Sequence, residues 1–114
     1  MAFFLLKHFN RNANVVVDGT PNIHKDADVE VGKYSMLKIG YGFTMRKNSI
    51  IAVRDNAQLR IGYKVFINRN TIIMARQNIT IGEHCVIASG VIVTKDVPAN
   101  TVLIQKRINT EYSL

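Results

Sequence analysis

The sequence predicts an all-β protein, a solenoid of short parallel strands stacked in successive coils. Three 19-residue stretches, 39–57, 61–79 and 81–99, align with one another at offsets of 22 and 20 residues. A repeat of fixed period is typical of solenoid folds. Within each stretch large aliphatic side chains recur every six residues, and an even spacing places them on one face of extended chain. Three such units per stretch predict a coil with three short sides. The aliphatic columns are Ile39, Ile61 and Ile81; Met45, Ile67 and Ile87; and Ile51, Ile73 and Val93.

Small and turn-forming residues occupy the positions between these aliphatics. Ser49, Thr71 and Val91 share one column, which fits a narrow interior, and a glycine follows the first aliphatic of each stretch. Gly32 repeats this glycine motif in the segment VEVG. Asn and Gly tolerate positive φ, so the column of Asn48, Asn70 and Gly90 predicts a left-handed turn.

The third side of the coil fits the six-residue pattern less well than the other two. Asp55 and Gln77 fall where a small apolar residue is expected. The offsets exceed eighteen by four and two residues, so extra residues should loop out near 55–60 and 77–80. The register is therefore predicted for two sides only.

Composition indicates one ordered domain. The chain has 114 residues, of which 47% are hydrophobic and 20% charged, which argues against disorder. We expect an N-terminal cap and first strand at 1–28, the solenoid at 29–107 and a tail at 108–114. The run from Ala2 to Leu6 is too short to span a bilayer. It is interpreted as a cap over the open end of the solenoid, with membrane-surface contact as the alternative. A cytoplasmic location is the default, and Cys85, the single cysteine, is expected to be a small core residue.

Basic residues stack in the predicted register. The formal net charge is +7, and Arg54 should lie over Arg76 and Lys47 over Arg69. Like charges this close repel unless they are solvated or share an anion. Two interpretations are open: an anion site for nucleotide phosphates or an acidic glycan, and a solvated face. Nucleic-acid binding is not expected, because basic and aromatic residues are not interleaved.

The repeat, and above all the segment IASGVIVTKDVPANTVLIQKR at 87–107, resembles the hexapeptide-repeat acyltransferases. Those that O-acetylate sugars in cell-surface polysaccharide synthesis are most similar. The resemblance covers about residues 29–107. It implies a left-handed parallel β-helix, a homotrimer with active sites between subunits, and acetyl-CoA as acyl donor. It also implies that Ala88, Ser89 and Gly90 lie along the donor, with Thr94 and Lys95 near its phosphates.

The catalytic base is the element of this family that the chain lacks. Relatives carry a loop with a histidine, often in an Asp-His-x-His context, and no such motif occurs here. His84 is the best substitute, because it follows Glu83, which could orient it, and its column points outward; a surface histidine without a role is the alternative. His8, His24 and His84 have no spacing that suggests zinc, so no metal is expected.

Two functions follow as hypotheses. The first is an acetyl-CoA-dependent O-acyltransferase acting on a sugar hydroxyl, with His84 as base. The second is a non-catalytic, truncated or minimised trimeric scaffold. Both require assembly, because the row of Ile50, Ile72 and Ile92 should point away from the core and exposed apolar patches usually mark interfaces.

Overall fold

The computed structural model describes residues 14–105, and within them the chain is a parallel β-solenoid of about four coils. Its strands are β1 (Asn14–Val17), β2 (Asn22–Ile23), β3 (Asp28–Val31), β4 (Met36–Ile39), β5 (Thr44–Met45), β6 (Ile50–Val53), β7 (Gln58–Ile61), β8 (Phe66–Ile67), β9 (Ile72–Ala75), β10 (Ile79–Ile81), β11 (Val86–Ile87), β12 (Ile92–Val93) and β13 (Val102–Leu103). No helix occurs among the described residues, and so none that could cross a membrane. The predicted fold class is confirmed. The apolar run proposed as a cap lies outside the described residues.

Three parallel sheets form the three faces of the solenoid. The first face has the order β1-β4-β7-β10, the second β13-β11-β8-β5-β2, and the third β12-β9-β6-β3. Strands β1 and β2 already belong to these sheets, so coil pairing extends N-terminal of residue 29. Each coil passes from the first face to the second and then to the third. We call the bend after the first face the first corner (40–43, 62–65 and 82–85), that after the second face the second corner (24–27, 46–49, 68–71 and 88–91), and that after the third face the third corner (32–35, 54–57, 76–78 and 94–96).

The predicted aliphatic columns are paired in the structure. Ile39 pairs with Ile61 and Ile61 with Ile81 on the first face. The equivalent pairs on the second and third faces also form, from Met45 to Ile87 and from Ile51 to Val93. These side chains are all nearly or fully buried, and burying one of this size stabilises a fold by about 1.5–3 kcal/mol. The six-residue spacing therefore corresponds to a continuous aliphatic core.

The third corner explains the misfit of the third side. Strands β6 and β9 have four residues each, and they run on to the turns 54–57 and 76–78. Asp55 and Asn56 both have positive φ, at 60° and 61°, and Asp55 is exposed. Ala57, two residues later, fills the interior position with 2% exposure. The extra residues are thus taken up by longer strands and a turn, and β7 and β10 are regular where the loops were expected to extend.

A column of glycines at the first corner permits the coils to approach closely. A Cβ added to Gly40, Gly62 or Gly82 would lie 2.7, 2.6 or 2.4 Å from the nearest backbone atom of the next coil. Gly32 is not in this column: it lies at the third corner, where an added Cβ would be 3.2 Å from the Val53 carbonyl oxygen. The glycine requirement is therefore steric at the first corner and weak at Gly32.

A buried polar column fixes the second corner. The Ser49 hydroxyl donates to the Asn68 carbonyl at 2.6 Å and accepts from the Thr71 N–H at 3.3 Å. The Thr71 hydroxyl donates to the Ala88 carbonyl at 3.1 Å. Since buried polar groups are costly unless they are hydrogen-bonded, these bonds tie three successive coils together at one corner. Val91 ends the column in the fourth coil.

Candidate functional site

Ala88, Ser89 and Gly90 form the second corner of the fourth coil. Gly90 has φ +76° and donates its N–H to the Arg69 carbonyl at 3.1 Å. Asn48 and Asn70 make the equivalent bonds to the preceding coils. The left-handed turn predicted for this column is confirmed. An added Cβ on Gly90 would meet nothing closer than the Gln105 side chain, at 3.7 Å. The corner therefore presents small, partly exposed residues beside the Gln105 side chain, and Ser89 is its exposed member.

Thr94 lines an open cavity of about 150 Å³ on the other side of β12. Met74, Arg76 and Gln77 complete its lining. Arg76 is exposed and takes part in no ion pair within residues 14–105, so the cavity carries a cation that an anionic group can reach. Lys95, the next residue, is exposed but does not line the cavity. The sequence analysis named Arg76 in a separate basic stack with Arg54, and it did not connect Arg76 or Gln77 with the donor residues Thr94 and Lys95.

His84 lies at the first corner of the fourth coil. Its side chain is exposed, its φ is 56°, and its ring meets the Tyr63 ring edge-on with centroids 5.1 Å apart. Tyr63 in turn stacks on Tyr41, with centroids 5.2 Å apart and planes within 3° of parallel. An offset stack and an edge-to-face contact are the favoured arrangements of aromatic rings. The corner therefore has an aromatic ladder of two tyrosines with His84 at its C-terminal end.

Glu83 interacts with Tyr63. A hydrogen bond with the Glu83 carboxylate, together with the negative charge of that group, raises the pKa of Tyr63 above its ordinary value of 10.0. A neutral phenol donates this bond and a phenolate would be repelled, which explains the direction. The Glu83 carboxylate interacts with Tyr63, and no hydrogen bond joins Glu83 to His84 among the described residues, so the orientation of His84 by Glu83 stays a prediction.

The predicted site residues occupy three different corners of the fourth coil. His84 is at the first corner, Ala88–Gly90 at the second, and Thr94 with Lys95 at the third. Gly90 and Thr94 are four positions apart in extended chain, a distance of roughly 13 Å at about 3.3 Å per position. The fold brings the two parts of the predicted donor site to the two ends of one short strand, β12, and it does not bring His84 to either.

The two basic stacks predicted from the repeat differ in their surroundings. Arg54 lies one coil from Arg76, and its guanidinium donates to the Glu30 carboxylate at 3.0 Å. Lys47 and Arg69 lie one coil apart at the second corner, and neither has a carboxylate partner within the described part of the chain. One stack is therefore neutralised in part within the protein and the other is not.

Cys85 is a core residue, as predicted. It is fully buried, and its thiol donates to the Pro98 carbonyl at 3.0 Å, where the chain bends at the end of the fourth coil. No three His, Cys, Asp or Glu side chains between residues 14 and 105 lie together as a metal site would require.

A search against models of known protein families finds no match for this chain.

Proposed function

We propose that this protein is an acetyl-CoA-dependent O-acyltransferase that acts on a sugar hydroxyl. The way in which segment 93–101 closes the fourth coil supports this proposal. This segment, which carries the resemblance to sugar O-acetyltransferases, closes the solenoid through specific contacts. Val97 bridges to Ile81, and the Asp96 carboxylate accepts the Thr80 N–H at 2.8 Å. Coil closure leaves a small-residue corner and a cation-lined cavity on either side of β12, as a donor with a phosphate end needs.

The donor residues would hold acetyl-CoA by two kinds of contact. Backbone groups and small side chains of Ala88–Gly90 admit the narrow arm of the cofactor. Arg76 and Lys95, near Thr94, supply positive charge for phosphate oxygens, to which charged donors bind most strongly. Arg76 is added to the sequence prediction because it lines the same cavity as Thr94.

The base in this proposal is His84. Its imidazole would take the proton of a sugar hydroxyl as the hydroxyl oxygen bonds to the acyl carbon. The carbon–sulfur bond of the thioester would then break, and the imidazolium would return the proton to the departing thiolate. Imidazole is the side chain that most often performs such a transfer. The exposed ring at the first corner is accessible to an acceptor, and its contact with Tyr63 limits its orientation.

Assembly is part of the proposal, because one subunit leaves His84 and the donor residues at different corners. A homotrimer closed by threefold symmetry would set a corner of one subunit against a neighbour's. The outward row on the third face supports such contact: Ile50 pairs with Ile72 and Ile72 with Ile92, and Ile92 is 63% exposed. An apolar row of this kind is stabilised when it is covered.

Release of free thiol from acetyl-CoA, measured with a panel of neutral and acidic sugars, tests the proposal. We expect thiol release to depend on a sugar, and His84→Ala to reduce its rate by about 10²-fold or more. His24→Ala is the matched control, because His24 accepts a backbone N–H from Asp26 at a different corner. Unchanged transfer by His84→Ala would remove His84 from the mechanism, and the absence of sugar-dependent release would refute the proposal.

A second candidate function is a non-catalytic trimeric scaffold. The contacts at the first corner favour it, since Glu83 is bonded to Tyr63 and His84 packs against the same ring. In a scaffold these residues only stabilise the coil edge. A stable trimer that neither binds acetyl-CoA nor releases thiol would favour this function over the first.

A further inference from the structure

Four basic side chains share the second corner of the first three coils. Lys25, Lys47 and Arg69 occupy one column, and Arg46 lies beside Lys47. The backbone bonds of the corner establish the column, because Asn70 donates its N–H to the Lys47 carbonyl at 3.2 Å. Lys25, Lys47 and Arg69 are exposed, and Arg46 is half-buried. We call these four residues the basic ladder.

The basic ladder has little compensating charge within residues 14–105. Asp26 is the carboxylate of the same corner, and its oxygen lies 3.9 Å from His24 Nδ1. Four cations and one carboxylate give this corner a net charge of +3, with His24 neutral, out of +7 for the chain. At the third corner, by contrast, Glu30 neutralises Arg54 at 3.0 Å. The stacked cations at the second corner thus repel one another. No ion pair joins Lys47 or Arg69 to a carboxylate within residues 14–105, whereas Arg54 has Glu30.

The second corner holds these cations on a fixed backbone. It is the corner at which Ser49 and Thr71 tie successive coils together through buried hydrogen bonds. Adjacent coils lie about 4.8 Å apart, so the column from Lys25 to Arg69 spans roughly 10 Å. The fixed backbone limits the entropy lost on binding an extended polyanion to that of the Lys and Arg side chains.

The basic ladder leads to the predicted donor residues. The fourth coil places Ala88, Ser89 and Gly90 at the same corner, directly after Asn68, Arg69 and Asn70 in the column order. The corner is therefore basic over three coils and uncharged in the fourth. A polyanion along the ladder would meet the small-residue corner at the ladder's C-terminal end.

We propose that the basic ladder binds a linear acidic polysaccharide and that this polymer is the acyl acceptor. This inference rests on the proposed transfer to a sugar hydroxyl, of which it specifies the acceptor. The stacked cations, about 4.8 Å apart from coil to coil, form a row that can contact the repeated carboxylates of such a chain. The ladder lacks stacked aromatic residues at its own corner, which single-stranded nucleic acid would use. A carboxylated glycan therefore fits this surface better than a nucleic acid.

Binding of an oligogalacturonate to the full chain tests the proposal, with its neutral methyl ester as the comparison probe. The test variant is K25Q/K47Q/R69Q, which removes three cations of the ladder and lowers the net charge to +4. We expect affinity for oligogalacturonate to fall about tenfold, as the loss of three exposed charge contacts predicts, with a weaker dependence on salt. Removing like charges should leave the fold intact, which circular dichroism and the elution volume would check.

The matched control is K33Q/K38Q/R60Q, which has the same net charge but leaves the second corner unchanged. Lys33 contacts the Tyr34 ring, and Lys38 pairs with Arg60 on the first face, so all three lie away from the ladder. We expect this control to bind oligogalacturonate with nearly the affinity of the natural chain.

Three results would overturn the proposal. Equal weakening in both variants would show a response to net charge alone. Binding of the methyl ester as tight as that of the acid would exclude charge recognition, and tighter binding of poly(U) at the same salt would assign the ladder to nucleic acid.

Ladder-dependent binding of the acid without any acetyl transfer would leave the ladder as a glycan site and refute the proposed enzyme activity. Acetyl transfer to neutral sugars at a rate that K25Q/K47Q/R69Q does not change would support the enzyme activity. It would refute the ladder as the acceptor site.

Discussion

Replacing Gly62 by alanine should destabilise the solenoid strongly, whereas the same change at Gly32 should not. Both glycines follow a buried aliphatic residue, and neither has positive φ. The added Cβ at Gly62 would lie 2.6 Å from the Glu83 amide nitrogen and 3.0 Å from the Gly82 carbonyl carbon. Both of these atoms belong to backbone, so no flexible side chain can move aside.

The loss of stability in Gly62→Ala can be derived from the distance by which the two coils must separate. Ordinary contact begins at 3.4 Å, so the two coils must part by about 0.8 Å at this point. The neighbouring bond from the Gly62 N–H to the Ile81 carbonyl, now 2.8 Å, would lengthen beyond hydrogen-bond range. Overpacking costs about 1–3 kcal/mol and a lost backbone bond about 1 kcal/mol. The lower entropy of the unfolded alanine chain offsets about 0.4–1 kcal/mol, which leaves a loss of about 1–3.5 kcal/mol.

Gly32→Ala is the matched control. Its Cβ would meet the Val53 carbonyl oxygen at 3.2 Å and otherwise make ordinary contacts, so a shift of about 0.2 Å suffices. The entropy gain is then of the same size as the cost, and we expect a change within about 1 kcal/mol.

Urea unfolding of the two variants at one protein concentration measures the difference. At a slope of about 2 kcal/mol per molar urea, the midpoint of Gly62→Ala should fall about 1 M below that of Gly32→Ala. One concentration is needed because the stability of an oligomer depends on it. Equal midpoints would refute the argument that backbone contact between coils fixes the glycine column.

Two further predictions concern a core column and a titrating group. Ser49→Ala should cost about 1–3 kcal/mol in urea unfolding, because it leaves the buried Thr71 N–H without its acceptor. Thr71→Val should cost less, about 0.5–1.5 kcal/mol, because the Ala88 carbonyl that loses the Thr71 hydroxyl still accepts the Val91 N–H at 3.4 Å. A larger loss for Thr71→Val than for Ser49→Ala would contradict this reasoning. The pKa of Tyr63 is raised above 10.0, so its bond to Glu83 stabilises the fold below about pH 10 and this contribution is lost as pH rises through the raised pKa. Spectrophotometric titration should show the pKa of Tyr63 fall in Glu83→Gln, and an unchanged titration curve would exclude the carboxylate as the cause.

The sequence predicted the strand register because the aliphatic spacing is even and the core is narrow. The Ile39, Met45 and Ile51 columns are paired as the alignment requires, and the Asn48 column has the expected positive φ. The third corner could not be placed, because turn residues such as Asp55 are exposed and leave no periodic signal.

The candidate site was predictable only in part. The repeat indicates which residues share a column, so it could have placed Thr94 beside Met74, and Arg76 follows two residues later. The same offset of 22 places Gly32 in the column of Arg54, at the third corner, although the local motif VEVG resembles the first-corner glycines. The repeat does not predict which side chains interact. The interaction between Glu83 and Tyr63 depends on rotamers that residue spacing does not specify.

Calorimetric titration of acetyl-CoA into the full chain, with its mass in solution measured first, tests the central claim most directly. We expect a trimer that binds acetyl-CoA saturably at about one site per subunit, with weaker binding when Arg76 is replaced by glutamine. No binding at about millimolar acetyl-CoA would contradict the proposed donor site, because the fourth coil would then contribute almost no binding free energy.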